Sequence, residues 1–170
     1  DANMSPSYSG MAKRTEFKTV PRASDNVFVT EHEKFTPSLI KTPSGKTVLD
    51  FGQNIAGYVE FSLETEKNKK IVLRFGEMLD DDGEFTQKNI QCVGKKKTTP
   101  LQKVEYTAKE GKNEYKTRFA IFGFRYVLVE ADFEINPHDF IAVAVYSDLE
   151  MTSQFDSSNG LLNAFWKATE

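Results

Sequence analysis

From Thr47 onward the apolar residues of this chain fall at every second position. In Gly57-Tyr58-Val59-Glu60-Phe61-Ser62-Leu63, Val59, Phe61 and Leu63 alternate with Tyr58, Glu60 and Ser62. A period of two places the first set on one face of an extended strand. After a charged turn, Glu64 to Lys70, the stretch Ile71-Val72-Leu73-Arg74-Phe75 repeats the alternation and reads as the hairpin partner. Further strands fit Lys103 to Thr107, Tyr115 to Ala120, Arg125 to Glu130 and Asp139 to Tyr146, with a short last one at Thr152 to Phe155. Turn signals separate them at Asp82-Gly83, Lys109-Glu110-Gly111, Gly123 and Asn136-Pro137. Short strands at this spacing, with no helical pattern among them, predict an all-β fold: an antiparallel β-sandwich.

The two ends of the chain are different. Residues 1 to about 45 are polar and weakly patterned, punctuated by Pro6, Pro21, Pro37 and Pro43, with edge strands expected only at Val27 to Val29 and Leu39-Ile40. At the other end, Leu161, Leu162, Phe165 and Trp166 lie one turn apart and predict a short C-terminal helix, with Ser157 or Ser158 as its N-cap. No stop signal precedes Glu170, so the reading is a helix of a larger unit that has been cut, with Phe165 and Trp166 exposed, frayed or docked on a neighbour.

Composition excludes several function classes. Against 22 basic residues stand 25 acidic ones, a net charge of −3, which does not suit a nucleic-acid binder. No apolar run approaches the ~20 residues that span a bilayer, so no membrane contact is expected. One cysteine, Cys92, and two distant histidines, His32 and His138, leave no metal site and no cofactor to predict. Compartment stays open.

Local motifs also resolve into ordinary structure. Gly45-Lys46-Thr47 lacks the glycine a phosphate loop needs five positions earlier, where Ile40 stands, and reads as a turn. Asp80-Asp81-Asp82-Gly83-Glu84 resembles a calcium loop, but Met78 and Asn89 occupy two of the ligand positions; the turn reading needs only a positive φ at Gly83. Lys95-Lys96-Lys97 reads as a solvated loop. Asp50, Glu60, Glu77 and Glu130 read as strand-face or strand-end charges, so no catalytic residue is assigned. Tyr58, Phe122, Phe124, Tyr126 and Trp166 are candidates for a sugar-stacking platform, with core packing the heavier alternative.

Three stretches taken together carry a resemblance. Val48-Leu49-Asp50-Phe51-Gly52-Gln53-Asn54-Ile55-Ala56-Gly57-Tyr58-Val59, Leu73-Arg74-Phe75-Gly76-Glu77-Met78-Leu79-Asp80-Asp81-Asp82-Gly83 and Phe122-Gly123-Phe124-Arg125-Tyr126-Val127 resemble the concanavalin-like (jelly-roll) β-sandwich region of bacterial α-L-rhamnosidases. Tyr146-Ser147-Asp148, Phe155 and Ser158-Asn159-Gly160-Leu161-Leu162-Asn163 are similar to that family's crossing into its catalytic (α/α)6 barrel. Phe122 stands where the family often has histidine, and Cys92 to Leu101 matches poorly. The family's acidic catalytic motif has no counterpart here.

The resemblance implies three segments: 1–35 as a linker or the end of a preceding β-domain, 36–156 as the sandwich, and 157–170 as the first helix of a catalytic domain. It implies a non-catalytic accessory domain, with the barrel of the same parent chain as partner and rhamnosylated carbohydrate as a further one. An independent carbohydrate-binding module is the alternative. Gln53, Asn54, Tyr58, Arg125 and Trp166 are the candidate domain-interface or carbohydrate contacts. Gln53 and Asn54 either pin their own loop or reach a neighbour, and Arg125 is expected in a structural bidentate pair.

Overall fold

The computed structural model describes residues 2–3, 10–16, 18–92 and 101–169. Eight strands follow one another: β1 (Val29–Phe35), β2 (Ser38–Lys41), β3 (Thr47–Thr65), β4 (Lys70–Gly76), β5 (Lys103–Thr107), β6 (Gly111–Tyr115), β7 (Phe122–Ala131) and β8 (Phe140–Ser147). Among the described residues one α-helix, α1 (Gly160–Lys167), comes last. All strand pairs are antiparallel.

The 19-residue strand β3 organises the whole. Its first part, Thr47 to Asp50, lies between β2 and β7, and β4 and β5 continue that layer beyond β7. Its last part lies between β8 and β6, and β1 continues the second layer beyond β8. One strand thus serves both sheets of the sandwich. The changeover falls at Gly57, which is opposite Phe122 of β7 and Ala144 of β8. A Cβ there would sit 1.9 Å from the carbonyl oxygen of Val143, so only glycine lets the two backbones approach.

Alternation along the strands fills one core between the layers. Leu49, Leu73, Phe75, Phe124 and Val127 from the first sheet meet Val59, Phe61, Phe140 and Ala142 from the second. Phe124 makes edge contacts with Phe51 and Phe75, at ring-centroid distances of 5.8 and 5.0 Å, an arrangement that sets ring edge against ring face. A smaller apolar cluster, Tyr58, Val143 and Val145, lies apart from this core.

Several elements differ from the sequence reading. The strand expected at Tyr115 to Ala120 is displaced: β6 covers Gly111–Tyr115, and 116–121 runs as a loop. The inward position of β6 is Asn113, fully buried, so the apolar signal that marks a strand is missing there. Asn113 accepts from the Tyr106 hydroxyl and the Lys109 amide and donates to the Lys109 and Gly111 carbonyls, which satisfies its side chain completely. No strand forms at Thr152 to Phe155. β1 lies within the stretch expected to precede the sandwich and pairs with β8; its charged residues hide a partly solvated edge strand. The helix cap is Asn159, whose Oδ1 accepts from the Leu161 amide at 3.0 Å, rather than Ser157 or Ser158. Lys95-Lys96-Lys97 lies outside the described residues.

Candidate functional site

Two features stand out from the sheets, and the first interrupts β3. Asp50 is opposite Tyr126 and Ile55 opposite Phe124, so Phe51-Gly52-Gln53-Asn54 face Arg125 alone. This is a wide bulge within one strand, where the sequence suggested a loop between two strands. Phe51 and Ile55 anchor its ends in the core, and Gly52 takes φ of 80°. Asp50 holds it: Oδ1 accepts from the Gly52 amide at 2.8 Å, and the carboxylate receives Arg125 Nε and Nη2 at 2.8 and 2.9 Å. The Arg125 guanidinium also lies 4.8 Å from the centre of the Tyr126 ring. Arg125 therefore makes the expected bidentate pair, and its hydrogen bonds to Asp50 hold that carboxyl below the usual carboxylate range. Gln53 and Asn54 are exposed, and among the described residues neither side chain is tied to the loop. Asp50 does the pinning instead.

The second feature is an open groove of 890 Å³ beside the second sheet. Glu60 and Ser62 of β3 and Ile141 of β8 form its base, with loop 116–120 on one side and His138-Asp139 on the other. The loop is strapped down at its start. Lys116 pairs with Glu31 of β1, and the Tyr58 hydroxyl donates to the same Glu31 carboxylate at 2.5 Å. These two bonds hold Glu31 below its ordinary pKa, while burial and the Glu31 bond push the Tyr58 phenol up. Tyr58 is thus a buried anchor, 5% exposed, and presents no open ring face.

The other ring candidates are occupied too. Phe124 is fully buried, and Phe122 stacks on Phe75 at 4.2 Å. Trp166 is half-buried and 5.5 Å from the Phe155 ring. The fully exposed ring is Phe119, on the groove's loop, which sequence reasoning placed inside a strand. Arg118 and the ring of His138 line the same groove and make no ion pair or hydrogen bond among the described residues. Their shared signal is spatial, since 20 residues separate them in sequence.

Comparison with known proteins decides the family. The model of the bacterial alpha-L-rhamnosidase concanavalin-like domain matches residues 40–146. The chain belongs to that family. An alpha-L-rhamnosidase of Alteromonas sp. (strain LOR) is 30% identical over 155 residues, which cover 88% of this chain and 16% of the relative. One from Formosa agariphila is 28% identical over 166 residues, covering 95% and 17%. The chain therefore spans about a sixth of these relatives' length. Among solved structures, the alpha-L-rhamnosidase from Dictyoglumus thermophilum matches 79% of this chain at 29% identity and a TM-score of 0.67, over 15% of its own chain. The Streptomyces avermitilis enzyme, solved with L-rhamnose, matches 79% at 25% identity and the same TM-score, over 13% of its chain.

Carboxylates in this concanavalin-like domain are engaged rather than convergent. Glu60 pairs with Lys34 at 2.8 Å, Glu130 with Arg74 at 3.1 Å, and Glu77 accepts from Asn89 at 2.8 Å. Asp80 closes its own turn, accepting from the Asp82 and Glu84 amides at 3.1 and 2.8 Å, with Gly83 at φ 79° as the turn reading requires. Among the described residues no three His, Cys, Asp or Glu side chains gather as a metal site.

Proposed function

We propose that this chain is a non-catalytic accessory β-sandwich of an α-L-rhamnosidase, with the reacting carboxylates carried by a catalytic (α/α)6 barrel of the same polypeptide. In this reading residues 36–156 form the accessory domain, joined by β1 from the preceding segment, and 157–170 begin the barrel. The parent enzyme hydrolyses terminal α-L-rhamnose from glycosides by acid/base chemistry.

The observation that carries the reading is the family match over residues 40–146 in a chain that covers only 16–17% of its rhamnosidase relatives; the resolved carboxyl shifts agree with it. Glycoside hydrolysis needs one carboxyl kept protonated by its surroundings to protonate the leaving oxygen. Glu31, Glu33, Asp50, Glu84, Glu105 and Glu114 are all shifted the other way, by hydrogen bonds from neighbouring amines, hydroxyls and amides. They are ionised at neutral pH and serve as structural acceptors. A further fact supports it: α1 carries an exposed apolar stripe, Leu161, Leu162 and Phe165 being 79, 48 and 69% exposed. Such a stripe suits a face that docks on a larger helical body.

The test is an assay of the 170-residue chain with an aryl α-L-rhamnoside. No turnover is expected; turnover that co-purifies with the chain and disappears on its thermal unfolding overturns the reading.

A further inference from the structure

We infer that the groove beside loop 116–121 is a saccharide-binding site, taking a short neutral oligosaccharide with one sugar ring stacked on Phe119. Its volume of 890 Å³ lies in the range of ligand pockets, about 300–1,000 Å³. Three separate observations point to a ligand of this chemistry.

First, Phe119 stands fully exposed at the groove wall, on a loop whose start is fixed by the Lys116–Glu31 pair and by Glu31's bond from Tyr58. An open ring face is electron-rich and attracts the polarised C–H face of a pyranose, while the sugar's hydroxyls point sideways. Second, the polar groups around that ring include uncommitted donors: among the described residues Arg118 and the His138 ring have no partner, and Asp139 meets only the Asn136 amide, at 3.5 Å. Hydroxyls accept from the first two and donate to the third, so one ligand class satisfies all of them. Third, the Thr117 hydroxyl is buried without a hydrogen bond although the residue lines the groove, 8% exposed. An orphaned buried hydroxyl costs about 1–3 kcal/mol, which a loop shift onto a bound hydroxyl would recover.

A protein partner fits this groove less well. Glu60, Glu114, Lys116, Arg118 and Asp139 line the groove together with Ile141. Covering them with protein would desolvate several charges at once, and interface centres are depleted in charge for that reason. A sugar keeps them hydrogen-bonded and lets water in at the rim.

The inference is independent of whether the domain is catalytic. It is tested by amide NMR of the 170-residue chain titrated to millimolar concentration with L-rhamnose, a rhamnose-terminated disaccharide and cellobiose. Shifts should concentrate at 116–121 and 137–141 for at least one disaccharide. Phe119→Ala, which removes no buried group, should weaken that binding about tenfold, ~1.4 kcal/mol. Absence of shifts with every probe overturns the inference, as do shifts elsewhere or an affinity unchanged in Phe119→Ala. Phe119-dependent self-association without any sugar shift assigns the face to protein packing instead. Turnover of the aryl rhamnoside would sink the accessory-domain reading and leave the groove as it stands.

Discussion

The sandwich and the C-terminal segment use the same kinds of residue to opposite effect. Phe75, Phe124 and Phe140 are removed from water entirely, whereas Phe155 and Phe165 remain 44 and 69% exposed and no residue of α1 is buried. Apolar patterning specifies an element and its intended face, but burial depends on a second surface to meet it. In the sandwich that surface is the opposing sheet; on α1 no residue is buried, and Phe155 lies 5.5 Å from the Trp166 ring. This eight-residue helix is held instead by polar bonds: its Asn159 cap, and Asn163, which accepts from Ser157 and donates to the Asp156 carboxylate and the Ser157 carbonyl.

Four tests by substitution sharpen this contrast, from large effects to small. Gly57→Ala should be the most damaging. Its added methyl would meet Val143 backbone at 1.9 Å on both sheets' shared strand, and a loss beyond ~4 kcal/mol, or no folded protein in denaturant titration, is expected. Wild-type stability would show that β3 and β8 can separate there at no cost. Phe124→Ala should lose about 3–5 kcal/mol through the cavity it leaves, while Phe165→Ala stays within ~0.5 kcal/mol of the parent. Equal losses at the two sites would erase the distinction between the regions.

The third concerns pH. Arg125 holds the folded pKa of Asp50 below its ordinary value of 3.8. Ionised Asp50 therefore stabilises the fold above pH 3.8, and that contribution fades as pH falls through the lower folded pKa. Asp50→Asn should flatten this acid limb in thermal melts; an unchanged limb would remove the pair from the account. The smallest effect is expected at Thr117→Val, which replaces an unpartnered buried hydroxyl by a methyl and should leave the melting temperature unchanged or slightly raised. A clear loss would mean that the hydroxyl has a partner in solution.

Legibility in the sequence followed burial. The second half of β3, with β4, β5 and β8, was readable because one face is apolar and the other polar, at period two. β1 and β6 were not, because their stability comes from partners that the local pattern does not record: Glu31 with Lys116 and Tyr58, Lys34 with Glu60, and Asn113 with its turn. The bulge was half legible. The Arg125 pair was expected, but nothing local showed that Asp50 would hold the loop and leave Gln53 and Asn54 outside. The groove was invisible for a simpler reason. Phe119 and Ile141 read as ordinary strand residues until the loop between β6 and β7 is placed beside the turn that precedes β8.

A strand common to two layers also constrains how the domain comes apart. Because β3 contributes hydrogen bonds to β2, β7, β8 and β6 in turn, neither layer retains a complete ladder once it leaves. Ladder amide protons of Val48 to Asp50 and of Ile55 to Leu63, on either side of the bulge, should exchange together, at the rate of global opening, and partial unfolding that spares one layer should not accumulate. Cleaving the chain anywhere inside this span would yield two pieces without a separately folded half, so the unit is inherited whole or lost whole.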